Sequence, residues 1–346
     1  MHLQMPPPDT PNADLHTLLD SNLQLPPEYR DQLTNHLPMA LHALQSLGAS
    51  AERMRSFYAT YVQRFHGLNL PATAIVSAAQ LANWRALRGQ ADAYPELLAC
   101  FNGLMAQDGM DTTLRRALPE LLPGVAAAAF HGLIRSAHAV EAGHAGELAA
   151  ALAYWAWRWQ PLPVPPMTYP LLGFDTWASR LVREASGWQS DGSLISARML
   201  EASQSSIYEG LAGSLVPALS LEARIAELAG LAAERYVANP NFTVLHMITG
   251  LRAFRLLLPW LERTQREDGL QAVLAHNFTA AYLAEGVLPL DKRPAVPALS
   301  WAEVATAAIA SEDEHVIKLV HACQDEAAVY GEGPYLRVAA LVVSAR

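Results

Sequence analysis

The chain is short of charge. Only 16% of its 346 residues are Asp, Glu, Lys or Arg, while 51% are apolar; a soluble chain usually carries about one quarter charged residues. Such a composition has ample side chain to bury and excludes a disordered chain. A basic surplus is also missing. The 24 Lys and Arg stand against 33 Asp and Glu, for a formal charge of −9, which argues against a nucleic-acid binder because few cations are left over to neutralise phosphates. Cysteine is nearly absent: Cys100 and Cys323 form neither a disulfide framework nor a CxxC metal knuckle, and a reducing compartment fits them best. No run of eighteen uncharged apolar residues predicts a membrane span; the nearest, Leu118 to Leu133, is short and contains Pro119, Glu120 and Pro123. The N-terminal residues show neither a basic nor an apolar segment of a signal peptide. The expectation is a cytoplasmic protein with no membrane and no nucleic acid among its partners.

Strand signals are scarce as well. No run alternates between Asn-Gly or Asp-Gly turns, and GxGxxG and GxxxxGK[ST] are absent, so the usual dinucleotide and P-loop fingerprints are missing. What the chain has is helical periodicity almost throughout. It predicts helices near 27–46, interrupted at Pro38, and near 50–65, capped by Ser50. Others are predicted near 93–107, 112–121, 124–141, 145–159, 197–209, 220–237, 241–263, 267–284, 300–310, 313–329 and 334–344. Two proline-dense stretches, 161–170 and 288–300, read as extended crossovers inside one domain, because apolar helices on both flanks need partners. The fold class is therefore all-α: a single large helical domain, residues 26–346, behind an N-terminal extension of residues 1–25.

The residues that stand out chemically are histidines inside apolar helical runs. His36, His131, His246 and His315 occupy four different predicted helices. An imidazole buried there needs a partner. Each taken alone reads as a core histidine bonded to backbone. Four on four helices also match the way bundle metal sites are built from facing helices, and the pattern leaves both readings open. Lys318 lies among Val316, Ile317, Leu319 and Val320, three residues from His315 and on the same helix face. One reading is a lysine whose head reaches water. The other is a desolvated, neutral amine able to take up carbon dioxide as a carbamate, which presents a carboxylate-like oxygen to a metal. Arg135 lies one turn from His131, where it can pair with an anionic phenolate or superoxide. Asn35, Asp313, Glu314 and Thr249 are candidates for orienting the imidazoles. His144, Glu141 and Glu147 read as solvated turn residues, His2, His16 and His66 as surface residues, and Trp155 and Trp157 as core aromatics. No GxSxG elbow supports a serine nucleophile.

Four segments, in this order, resemble the questin oxidase-like family: NHLPMALHALQSLGA (35–49), FHGLIRSAHAVEAGH with the following ELAAALAYWA (130–156), NFTVLHMITGLRAFRLLLPWL (241–261) and DEHVIKLVHAC (313–323). The similarity runs from about residue 30 to 330. Fungal members are associated with oxidative ring opening of anthraquinones, described as Baeyer–Villiger-like, with oxygen and a nicotinamide reductant and without a flavin fingerprint. In part of the family the chemistry is attributed to a mononuclear nonheme iron held by histidines and a carbamylated lysine. The resemblance thus implies His36, His131, His246, His315 and carbamylated Lys318 as ligands, with His42 the alternative to His36. Arg135 stands where fungal members are expected to carry a second histidine, so this chain differs from them in its ligands or in its substrate.

Adding one carboxylate to imidazoles favours iron or manganese over softer metals. Four histidines and a carbamate leave one octahedral position for oxygen or substrate. The implied function is an oxygen-dependent oxidoreductase with mononuclear nonheme Fe, O2 as co-substrate and NADPH as an optional reductant. Its partner is a small hydrophobic aromatic substrate of polyketide or quinone type, and a homodimer is left open. The rivals are a flavin-free, NADPH-dependent Baeyer–Villiger-type monooxygenase without metal and a non-catalytic helical small-molecule-binding protein. A carbamate-bridged two-zinc hydrolase is a weaker rival, because HxH and a carboxylate cluster are absent.

Overall fold

Ser50, Ser77, Ser205, Ser220, Asn241, Ser300 and Asp313 each accept a backbone N–H two or three residues ahead and so open a helix. These caps satisfy amides that the first turn leaves unbonded. A computed structural model of the chain describes residues 11–68, 74–262, 269–285 and 294–345. Its helices are α1 (Pro11–Asn22), α2 (Leu37–Ser46), α3 (Ala51–Tyr61), α4 (Ala78–Ala82), α5 (Tyr94–Leu121), α6 (His131–Glu141), α7 (Ala145–Trp157) and α8 (Phe174–Ala185). They continue as α9 (Ile195–Ala202), α10 (Ser206–Ala212), α11 (Leu221–Ala238), α12 (Phe242–Leu257), α13 (Leu270–Glu285), α14 (Trp301–Ala310), α15 (Glu314–Tyr330) and α16 (Gly333–Ser344). The only strands among the described residues are β1 (Glu28–Tyr29) and β2 (Leu33–Thr34), an antiparallel pair. The fold is all-α, as the periodicity predicts.

Four helices form the frame of the molecule. α2 packs on α6, α6 on α12, α12 on α15, and α15 back on α2, closing a ring. The main core runs from α5 through α16, while Leu15, Leu18 and Leu19 of α1 join α2, α3 and Ile317 in a second cluster. Small residues let the frame close. A Cβ on Gly132 would lie 2.6 Å from Cβ of Trp155, so α6 meets α7 at the distance that only a glycine permits. Trp155 is fully buried there, as expected for a core aromatic.

Several boundaries depart from the periodicity. The segment expected to be helical from 27 carries the β1–β2 hairpin, with Arg30 and Gln32 at positive φ, and α2 starts only at Leu37. The segment expected to be helical from 124 is broken by Ala128, Ala129 and Phe130, whose φ values are 46°, 56° and 69°. Three successive left-handed non-glycine residues cannot belong to a right-handed helix and cost roughly 1–2 kcal/mol each. The helices expected at 93–107 and 112–121 are the two arms of α5, joined at Gly109 in a conformation open to glycine (φ 75°). The one expected over 197–209 is split into α9 and α10, and α1 and α8 had no counterpart in the periodicity. The stretch 161–170 is without regular structure, as expected; residues 267–268 and 288–293, and His2, lie outside the described residues.

Gly132→Ala is expected to lower stability by about 1–3 kcal/mol through overpacking against Trp155. Denaturant unfolding measures it, and an unchanged midpoint would show that α6 and α7 can move apart freely.

Candidate metal centre

The ring of α2, α6, α12 and α15 carries one histidine of interest at or near the N-terminus of each helix: His36, His131, His246 and His315. The structure brings all four together. His131 Nε2 lies 2.7 Å from His36 Nε2 and 3.0 Å from His246 Nε2. Nitrogens of His36, His246 and His315 all lie within 4.8 Å of one another. The first three are almost fully buried, and His315 is partly exposed.

Each imidazole is oriented through its other nitrogen. His131 Nδ1 is bonded to the carbonyl of Ala128, the first residue of the left-handed turn, and His246 Nδ1 to the carbonyl of Phe242 at 2.5 Å. A carbonyl only accepts, so both Nδ1 atoms carry the proton and both Nε2 atoms are bare lone pairs. His315 Nδ1 lies 3.2 Å from Asp313 Oδ1. His36 Nδ1 faces Glu314 Oε1 at 3.6 Å, beyond hydrogen-bond range, and has no bonding partner although it is buried. The His36 backbone N–H is held by the Tyr61 hydroxyl at 3.0 Å. Glu314 receives both arms of Arg64, at 2.7 and 3.1 Å. Burial opposes its charge, but these bonds hold its carboxyl below the usual range.

Two conflicts follow from this arrangement of nitrogens. His131 and His246 aim lone pairs at each other across 3.0 Å, a repulsive contact. His36, if it donates Nε2–H to His131, turns a bare Nδ1 toward a carboxylate. A cation among the three Nε2 atoms removes both conflicts, because it attracts the lone pairs and leaves His36 Nδ1–H for Glu314. A ligand whose outer N–H meets a carbonyl or carboxylate is the usual arrangement of metal-bound histidine. The donor set therefore fits a metal ion. Burial, with further contributions from the neighbouring imidazoles and Lys318, holds the pKa of His36, His131 and His246 well below the usual range. They are neutral, as ligands must be.

Lys318 is 1% exposed, one turn along α15 from His315. Burial lowers its pKa to about 8, against opposing help from Glu314 and Asp313. Of the other orienting candidates, Asp313 and Glu314 face imidazoles as described. Asn35 Oδ1 instead accepts Leu37 N–H at 3.0 Å, and Thr249 bonds back to the carbonyl of Leu245.

Arg135 is not brought to this site. It is buried in a two-armed pair with Glu147, Nε to Oε1 at 2.5 Å and Nη2 to Oε2 at 3.0 Å, and Glu147 is 1% exposed rather than solvated. Asn22 reaches Glu147 at 3.4 Å and receives Asn35 at 3.0 Å. This chain of bonds runs from α6 to the start of α2 and so helps to place His36. His144 is likewise buried: its Nδ1 accepts Glu147 N–H and caps α7. A Gly-His-Ala-Gly turn gave no sign of this, because its role comes from α1 lying across it, with His16 against His144.

The histidines open onto a cavity of about 590 Å³. Trp157, Trp159, Phe242, Leu194 and Ile195 supply apolar wall, and Arg158 and Arg198 lie on the same surface. Arg158 is paired with Glu28. Arg198 has a buried Nε without a partner and no carboxylate within pairing distance among the described residues. Trp157 was expected in the core. The run Tyr154-Trp155-Ala156-Trp157-Arg158-Trp159 identifies an aromatic helix end but does not say which ring faces a cavity.

A family model described as questin oxidase-like matches residues 33–323, a span that contains His36, His131, His246 and His315. No curated protein matches the chain.

Glu147→Gln should leave Arg135 as an uncompensated buried charge and cost about 3–5 kcal/mol of unfolding free energy; a loss under about 1 kcal/mol would mean that water reaches the pair. Lys318 gives a pH signature. Its folded pKa lies below the unfolded value, so folding is penalised below pH 8, and stability rises with pH while only the unfolded chain holds the proton. In chelator-treated, bicarbonate-free protein, the wild type should gain about 2 kcal/mol relative to Lys318→Met between pH 8 and 9.5. A constant difference between the two would contradict a desolvated amine.

Proposed function

The chain belongs to the questin oxidase-like family, and from that premise we propose that it is a nonheme-iron oxidoreductase that uses O2 on an aromatic polyketide or quinone-like substrate. The observation that carries this reading is the convergence of bare Nε2 lone pairs from His131 and His246, with His36 beside them, at the wall of an apolar cavity. His36, His131, His246 and His315 would hold the iron, with Lys318 as its carbamate supplying the anionic ligand. A neutral amine is the form that reacts with carbon dioxide, and burial favours that form. When bound, the metal supplies a redox-active site at which oxygen is activated.

The chain's own residues do the rest. Trp157, Trp159 and Phe242 flank the opening with flat apolar surface, which suits a planar ring system. A cavity of about 590 Å³ is of the size that encloses a small organic molecule. Arg198, with no carboxylate within pairing distance among the described residues, would receive a phenolate or carboxylate on the substrate. With an ion bound, Glu314, 3.6 Å from His36 Nδ1, and Asp313, 3.2 Å from His315 Nδ1, would face the outer N–H of each ring and keep it oriented. Arg135, locked on Glu147, acts as a positioning residue for α2 and not on the substrate.

The test is metal content of the purified protein with oxygen uptake on a panel of hydroxyanthraquinones. Near-stoichiometric iron in the wild type, lost at least tenfold in Lys318→Ala and His246→Ala together with quinone-dependent oxygen uptake, is expected. Full iron occupancy in Lys318→Ala would overturn the ligand assignment. Oxygen uptake by a demonstrably metal-free wild type would favour the metal-independent monooxygenase instead.

A further inference from the structure

The four helices of the frame repeat their polar positions about two turns further on. His42 follows His36 by six residues, His138 follows His131 by seven, and His321 follows His315 by six. In the fourth corner Arg252 follows His246 by six. His42, His138 and His321 are each at least nine-tenths buried, and each offers a ring nitrogen within 4.8 Å of the other two. The ring centroids lie 5.1, 5.5 and 5.5 Å apart. None of the three lines the cavity of the histidine centre.

The bonding around this cluster is unfinished. His42 and His138 meet through Nδ1 atoms 2.9 Å apart. The Ser46 hydroxyl gives its proton to the His42 carbonyl at 3.0 Å, so toward His42 Nε2, 3.5 Å away, it can only accept. The proton of His42 therefore belongs on Nε2, and its Nδ1 lone pair points into the cluster. His321 accepts Arg252 Nη2 on its Nε2 at the long distance of 3.4 Å, which leaves its proton on Nδ1 as a buried donor with no partner; an ion would take Nδ1 only with the proton moved to Nε2 and this contact given up. Arg252 does not make the cluster strongly positive. It is held by Glu141 at 2.8 and 3.0 Å and by Asp325 at 2.9 Å, and Arg255 beside it pairs with Asp325 and Glu326. Three carboxylates thus face two guanidiniums.

We propose that His42, His138 and His321 form a second, closed metal site, distinct from the cavity-facing centre, for a late transition ion that prefers imidazole. A donor set of three neutral nitrogens without a carboxylate disfavours magnesium, calcium and manganese and suits zinc or copper. The low charge of Cu(I) suits a site with a guanidinium at its edge; Zn2+ offers the same imidazole chemistry. Burial, then Arg252, drives the His42 pKa down to about 3, and burial lowers those of His138 and His321, so all three are neutral before any ion arrives. The ion would tie α2, α6 and α15 together beneath the first centre and so fix the spacing of its ligands. This site does not depend on the function proposed above.

Chelator-stripped protein is loaded with Zn2+ alone or, under reductant, with Cu(I) alone, then desalted and weighed by native mass spectrometry. Two ions per wild-type chain are expected from at least one metal. One is expected from His246→Ala, one from His321→Leu, and none from the double variant. His138→Asn serves where His321→Leu loses its helical circular dichroism. A wild-type chain that never holds more than one ion, with its loading unchanged in His321→Leu or His138→Asn, overturns the second site. If His246→Ala keeps the wild-type count while His321→Leu loses an ion, the second site stands and the cavity-facing centre fails. The metal that fills it distinguishes zinc from copper.

Discussion

His131 and His246 both give their Nδ1 proton to a backbone carbonyl, so their Nε2 lone pairs face each other across 3.0 Å with nothing between to share. Neutral lone pairs at that distance repel. A fold that holds them there must supply the energy from elsewhere, or a cation must join them. The frame of α2, α6, α12 and α15 is built around this contact. His131 sits on the first residue of α6, directly after three left-handed residues whose only evident service is to turn the Ala128 carbonyl onto the imidazole. Strain of that kind persists only where the surroundings over-determine it. Here the surroundings are Trp155 against Gly132 on one side and Phe130 against Gly250 on the other, two approaches too close for a larger residue to enter unopposed.

The polar network outside the histidines has the same purpose. A buried ion pair is seldom a net source of stability, because desolvating both charges offsets much of their attraction. Arg135–Glu147 is better understood as a fixed point from which Asn22 and Asn35 extend to the first turn of α2. Arg64–Glu314 does the equivalent from the opposite side, joining the turn after α3 to the start of α15 and presenting a carboxylate to His36. Three of the four histidine-bearing segments are thus positioned by these pairs, of which only Glu314 also lines the cavity. The second histidine layer lies deeper along the same helices, where no solvent path needs to be kept open.

Much of this was legible in the sequence, for a definite reason. Long apolar helices have a strong 3.6-residue period, so α5, α7, α11, α12, α14, α15 and α16 fall close to where the periodicity puts them. A histidine inside such a period stands out because it interrupts an otherwise apolar face. Lys318 stood out in the same way. The left-handed turn at 128–130 was not legible, because Ala-Ala-Phe is good helix sequence and its conformation is imposed by tertiary packing. Glu147 read as solvated because it sits beside a glycine-rich turn, and only the arrival of α1 and Arg135 buries it. Arg135 lies one turn from His131, as its spacing says, but its guanidinium is taken up by Glu147 of α7 and does not line the cavity. His42, His138 and His321 were visible singly; their meeting depends on how far each helix is shifted along its axis, which no single helix encodes.

The two histidine layers share helices, residue type and burial, yet differ in the fourth corner and in access. At the first layer α12 supplies His246 and the ring opens onto aromatic wall. At the second α12 supplies Arg252, a permanent cation paired with Glu141 and Asp325 and touching His321, and the cavity does not reach it. A guanidinium in that corner leaves no room for a fourth nitrogen donor and would oppose a highly charged ion, whereas the first layer faces a cavity that the second does not reach. Residue type alone would not tell the two histidine layers apart. Access to solvent and the charge of the fourth residue do, and both are set by where α12 lies against α6 and α15.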